Sequence, residues 1–180
     1  MNVKKPVLLR SALLATLAAA LALPSSAAAG PQLRAADSLE RSVVGKVNSV
    51  RRAYGLRALA IRTPLARAAT SHATNMARYG YFSHSWSTGA PFSRWIRTYW
   101  PGRSYRGSWS VGENLFWRGP TITASQVVQA WLNSPPHRRN LLAGKWRSIG
   151  VGAIAMVNPV GAYRGVSRAT VVAAEFGVRN

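Results

Sequence analysis

The chain has 180 residues, 24 of them Lys or Arg against four Asp or Glu, with three His, no Cys and a formal net charge of +20. That length suits one domain with a core of its own, and the lack of cysteine excludes thiol chemistry, cysteine-ligated zinc modules and a disulfide framework. The charge draws polyanions in a salt-dependent way and says nothing about fold.

Residues 1–29 read as an export signal. Lys4, Lys5 and Arg10 give a positive start, Ser11 to Leu23 an apolar stretch, and Ala27-Ala28-Ala29 a small-residue cleavage site. The apolar stretch is shorter than the ~20 residues that a bilayer span needs. Taking the three basic residues of the signal from +20 leaves +17 on the remainder. No later stretch is apolar enough to anchor the chain, so a secreted or envelope-associated monomer is expected.

Gly30 to Asp37 reads as a short lead-in. From a cap at Ser38, Leu39, Val43, Val47, Val50 and Tyr54 recur at helical spacing, and Gly55 ends the helix. A second helix takes Thr63 as N-cap and Pro64 in its first turn. It carries Leu65, Ala68, Ala69, His72, Met76 and Tyr79 on one face as far as Gly80, which points His72 at the core. Gly89 to Gly119 is rich in aromatics, Gly and Arg, with a short helix at Phe92 to Tyr99 and a strand or extended turn at Asn114 to Trp117. A third helix starts near Thr123, runs through Val127, Val128 and Trp131, and stops at Pro135-Pro136, which leaves His137 just beyond a helix end. Ile149 to Met156 alternates as a strand, Thr170 to Phe176 is a second β-branched run, and Asn158 to Gly165 joins them. Helices first and strands last, without repeats, predict an α+β layered domain over 38–180.

Three histidines and four acids can be weighed singly. His72, on an apolar helical face, reads as a hydrogen-bonded core residue rather than a ligand. His84 follows aromatic neighbours just after the second helix, and His137 follows Ser134-Pro135-Pro136. Glu113 stands in Gly112-Glu113-Asn114, where the glycine is expected to let the backbone turn tightly, and a lone acid among so many cations must be paired with something. Two imidazoles and a carboxylate make a sufficient zinc shell with one open position, which nominates His84 and His137 as metal ligands, with Glu113 as ligand or base. Glu175, beside Phe176, reads as a structural ion-pair partner.

Val47-Asn48-Ser49-Val50-Arg51-Arg52-Ala53-Tyr54-Gly55-Leu56, Phe82-Ser83-His84, Gly112-Glu113-Asn114-Leu115, Trp131 to Leu142 with its Ser134-Pro135-Pro136-His137-Arg138-Arg139-Asn140 core, Ile149-Gly150-Val151-Gly152 and Glu175-Phe176-Gly177 occur in that order. Together they resemble the CAP superfamily (cysteine-rich secretory, antigen-5 and pathogenesis-related proteins), and in particular its bacterial, cysteine-free branch. The resemblance implies a three-layer α-β-α sandwich on a mainly antiparallel sheet, and a central cleft lined in many members by two histidines and two acids. His84, Glu113 and His137 match three of those positions. Ser134 stands at the fourth, commonly glutamate in eukaryotic members, and is expected to orient His137 through a hydrogen bond.

Two functions follow. One is a non-enzymatic extracellular binding module, whose cleft of His84, Glu113, Ser134 and His137, or whose basic surface, takes up anionic lipid, a cell-wall polymer or an apolar ligand. The other is a zinc-dependent hydrolase using His84, His137 and Glu113. No Gly-x-Ser-x-Gly elbow or His-Glu-x-x-His helix supports hydrolysis, and no motif supports specific nucleic-acid binding. Trp86, Trp95, Trp100, Trp109 and Trp117 suit contact with amphiphiles, or simply pack under long loops.

Overall fold

A computed structural model describes Met1 and residues 30–101 and 109–179. The expected export signal, Met1 apart, lies outside the described residues, as does part of the aromatic stretch after Pro101.

The chain runs β1 (Gln32–Ala35), α1 (Asp37–Ala53), β2 (Ala60–Ile61), α2 (Thr63–Tyr79), α3 (Phe92–Tyr99), β3 (Trp109–Arg118), α4 (Ala124–Asn133), α5 (Pro135–Leu141), β4 (Ser148–Val157) and β5 (Arg168–Arg179). The sheet order is β1-β4-β5-β3, and all three of these pairings are antiparallel. β2 adds a short parallel pairing to the start of β4, with Ala60 opposite Ser148. The fold is an α+β sandwich, with helices on both faces of the mainly antiparallel sheet.

The alternation of β4 explains the layers. Ile149, Val151 and Ala153 join Val172, Ala174 and Phe176 of β5 in a core closed by Val43 and Val47 of α1 and Val127, Val128 and Trp131 of α4. The other face of the sheet gives Ile154, Met156, Val171, Ala173 and Leu115 to a second core under Ala69, Ala73 and Met76 of α2. Both faces of β4 are therefore buried, and the alternation sorts large from small residues rather than apolar from polar. On the α2 face, a Cβ on Gly150 would fall on the backbone of Leu65 and Ala66, and one on Gly152 on that of Ala69 and Thr70. The two glycines let α2 lie with its backbone against the strand.

Several boundaries differ from the sequence reading. The lead-in contains β1, an exposed four-residue edge strand. α1 is entered from Ala36 and α2 from Arg62, neither with a side-chain cap, so Ser38 and Thr63 lie inside their helices. Gly80 ends α2 with φ +67, as expected of a left-handed terminator. α4 starts from Thr123 through a reciprocal capping box with Gln126. Pro135-Pro136 does not merely stop α4: it supplies the first turn of α5, where a proline lacks only a donor that has no helical partner anyway. His137 therefore lies just past the end of α4, as expected, but within the first turn of a further helix.

Candidate functional site: a groove over the free edge of the sheet

β3 is the outer strand of the sheet, and α5 packs against it. Buried Asn114 donates to the His137 carbonyl at 3.0 Å, while the Asn140 amide donates to the Glu113 carbonyl at 3.1 Å and to Asn114 Oδ1 at 3.0 Å. Trp131 Nε1 donates to the Leu115 carbonyl at 2.9 Å, and Trp146 Nε1 to the Asn140 carbonyl at 2.9 Å. An outer strand has backbone carbonyls without a strand partner; here α4 and α5 satisfy two of them and are tied to the strand in return.

Arg51 secures α5 from the other side. Fully buried, it donates to the carbonyls of Arg57, Leu141 and Ala143. Gly112 does not turn the chain: it lies within β3, and a Cβ there would strike Asn140 and the Trp146 ring. The glycine brings α5 close to the strand instead of redirecting the carboxylate.

Glu113 is the anchor of the site. Its carboxylate is wholly shielded from solvent and accepts from His72 Nδ1 at 2.6 Å on one oxygen and from His84 Nδ1 at 2.7 Å on the other. Burial is the largest influence on its pKa and pushes it up, but the hydrogen bonds from His72 and His84, the charge interaction with His72 and a hydrogen bond with Glu175 together leave it below the usual carboxylate value. The same contact lifts His84 above the ordinary imidazole range, against burial. His137 moves the other way, lowered first by burial and then by the charge of His84. The ring centroids of His84 and His137 are 6.3 Å apart, so a proton-rich imidazole faces a proton-poor one.

Those two rings, Phe92, Pro136 and Asn140 line a groove of about 390 Å³ over Gly112, Glu113 and Asn114. Three of the four residues expected at a cleft thus come together, brought by the loop after α2, by β3 and by α5. Ser134 is not among the lining residues. It links α4 to α5 and caps neither with its side chain, and no hydrogen bond joins it to the His137 ring among the described residues. His137 is oriented through its backbone by Asn114.

Glu175 is not the ion-pair partner expected. It sits directly across from Glu113 in the β3–β5 register, fully buried, with the Glu113 carboxylate as its hydrogen-bonding neighbour and no ion pair to Lys or Arg among the described residues. Burial, then the charge of Glu113, raises its pKa well above the usual value, so Glu175 carries the proton and Glu113 the charge. His72 completes this buried group, and the sequence reading missed its bond to Glu113; its 1 % exposure agrees with the expected core position. The signal available was its i+12 spacing to His84 across the end of α2, which becomes informative only once both rings are known to reach one acid. Trp86 stacks on His72 at 5.5 Å and on Trp95 at 4.1 Å, so these two pack beside the buried group, while Trp100 is buried in a separate cluster with Leu65 and Ile96.

As a metal centre, the structure changes the part expected of Glu113, while His84 and His137 both line one groove. Among the described residues the compact group of donors is His72, Glu113 and Glu175, within 4.8 Å of one another and buried. With both oxygens engaged and no exposure, Glu113 is not placed to ligate zinc beside His84 and His137, nor to deprotonate a water in the groove. Two imidazoles alone fall one short of the three protein ligands usual in catalytic zinc sites.

Residues 44–156 match the family model described as cysteine-rich secretory protein family, CAP. An uncharacterised protein of Bacillus subtilis (strain 168), YkwD, is 34 % identical over 119 residues, which is 66 % of this chain and 43 % of that protein. Among solved structures, an outer surface protein of Borrelia burgdorferi superposes with a TM-score of 0.67 at 20 % identity, covering 83 % of this chain and 100 % of that one. An extracellular protein containing an SCP domain, from Bacillus anthracis, gives 0.59 at 24 % identity, covering 78 % of this chain and 40 % of that one. The chain thus spans less than half the length of both Bacillus proteins, and the likeness to the two solved structures concerns the fold.

Proposed function

The chain belongs to the cysteine-rich secretory protein (CAP) family, and from that premise we propose that it is an exported binding module, which takes an anionic or amphiphilic ligand in the groove between His84 and His137. One observation carries this reading. The carboxylate that lines the groove, Glu113, is shielded from solvent and has both oxygens committed to imidazoles, so its work is to hold and charge His84 rather than to act on a substrate. What faces outward is a half-exposed imidazole biased toward its cationic form, a second biased toward neutrality, and the apolar ring of Phe92. That set suits an acidic group joined to an apolar portion, and the net charge of +17 left after the signal raises the local concentration of such ligands.

Export rests on residues 1–29, and the extracellular and outer-surface descriptions of the two structural relatives are in keeping with it. No helix among the described residues is long and apolar enough to cross a membrane. The test compares the secreted chain with a His84→Gln/His137→Gln variant, on phosphatidylglycerol vesicles and on acidic wall polymer over a graded salt series. Salt-sensitive retention that is weaker for the variant supports the groove. No retention of the parent chain at low salt, or equal retention of both, overturns it.

A further inference from the structure

A second concavity, sharing no residue with the groove, is lined by Arg62, Pro64, Trp100, Arg147, Ser148 and Arg179 and encloses about 340 Å³. Its position follows from the sheet. β2 runs beside β4 so that the Arg62 amide donates to the Ile149 carbonyl at 3.0 Å, and the Ala60 amide to the Arg147 carbonyl at 3.0 Å. Arg62 and Arg147 are thereby held just after β2 and just before β4, at the point where α2 begins, and Gly150 allows the first turns of α2 to press against β4 just beyond Ser148. Arg147 is fixed rather than free-swinging, because its Nη1 donates to the carbonyls of Gly144 at 2.7 Å, Trp146 at 3.0 Å and Lys145 at 3.1 Å. Arg179 is likewise placed, donating to the Pro101 carbonyl at 2.9 Å and lying 4.7 Å over the Trp100 ring.

Arg62 and Arg147 bring two guanidinium groups to one concavity, where the oxygens of a single anion can join them. None of the four acidic side chains lines this pocket. Glu113 and Glu175 are buried in the sheet, Glu40 accepts from the Ala153 amide, and Asp37 stands in the first turn of α1. α2 adds to the field, since it opens with no side-chain cap and no acidic residue in its first turn, leaving the positive end of the helix uncompensated. Arginine forks match the oxygens of phosphate in pairs, and buried Ser148 offers a hydroxyl on the same wall.

We propose that this pocket is a binding site for a phosphate group, with Arg62 and Arg147 as its principal donors. It stands whether or not the His84–His137 groove binds anything.

Isothermal titration of the full secreted chain with inorganic phosphate at low ionic strength, with chloride as the control anion, tests it. Arg62→Gln/Arg147→Gln is compared with Arg34→Gln/Arg52→Gln, which removes the same charge from exposed positions outside the pocket. The expected result is saturable phosphate binding, weakened at least tenfold by the pocket pair and less than twofold by the outside pair. No saturable binding, or equal weakening by both pairs, overturns the proposal. Phosphatidylglycerol vesicles form a second arm: vesicle binding lost with the pocket pair, and displaced by inorganic phosphate, assigns the phosphate to a lipid headgroup. Phosphate binding without such vesicle binding assigns it to a free phosphate. Far-UV circular dichroism and melting midpoints matching the parent show that both variants are folded.

Discussion

Replacing Glu175 by glutamine isolates the cost of placing two carboxyl groups side by side in the sheet. Glu175 is buried and its pKa is raised well above 4.5, by burial first and by Glu113 second. The unfolded chain gives up this proton near the ordinary carboxylate value, whereas the folded chain keeps it. The stability that Glu175 lends the fold is therefore complete below that value and declines as pH rises toward the folded pKa. Between the two, the folded state holds one proton more, and stability falls by about 1.4 kcal/mol per pH unit. Glu175→Gln keeps the shape and removes the titration. Urea denaturation from pH 4 to pH 8 should show the variant close to the parent at the acid end and gaining by about that slope above pH 5. A gap that does not change with pH, or a variant less stable throughout, would mean that Glu175 is ionised and paired, and would refute this account of the site.

Asn140→Ala should cost about 2 kcal/mol in denaturant unfolding, because it leaves the Glu113 carbonyl and Asn114 Oδ1 unpaired; it should also broaden or shift the His137 ring resonances, since α5 loses a tie to β3. Gly152→Val should destabilise by about 3 kcal/mol or more, because its side chain would enter the α2 backbone at Ala69 and Thr70, and a variant melting like the parent would show that α2 does not lie so close. Glu113→Gln should lower stability by about 3 kcal/mol near neutral pH, through loss of a buried charge held by two imidazoles. Because the Glu113 pKa is depressed, its contribution is present above pH 4.5 and disappears as pH falls through the folded value, so the parent and this variant should converge in acid melts.

What the sequence revealed tracks how local the governing physics is. The start of α4 near Thr123 was legible because the apolar spacing of Val127, Val128 and Trp131 acts within one or two turns, and the structure adds a capping box there. The two prolines were misread because the same residue ends one helix and opens the next, and nothing within four residues says which. β1 was missed because the alternation of Leu33 and Ala35 is too short to stand out and becomes a strand only by pairing with Ile154–Val157. β3 extends well beyond Asn114–Trp117 because its length is set by β5. At the site, the ordered motifs found His84, Glu113 and His137, but their division of labour depends on register. Only the β3–β5 pairing puts Glu175 against Glu113, and only the packing of α2 on that face brings His72 to the same carboxylate. The family position held by Ser134 suggested a side-chain role that Asn114 performs through the backbone instead.

The central claim is that Glu113 lies beneath the groove as a charged anchor and makes its two facing histidines unequal. Titrating the imidazole resonances by NMR in the parent chain and in Glu113→Gln measures this directly. The structure predicts that His84 titrates above the ordinary imidazole range and His137 below it, and that His84 drops when Glu113 is neutralised. Two rings titrating alike, or a His84 indifferent to Glu113→Gln, would contradict it.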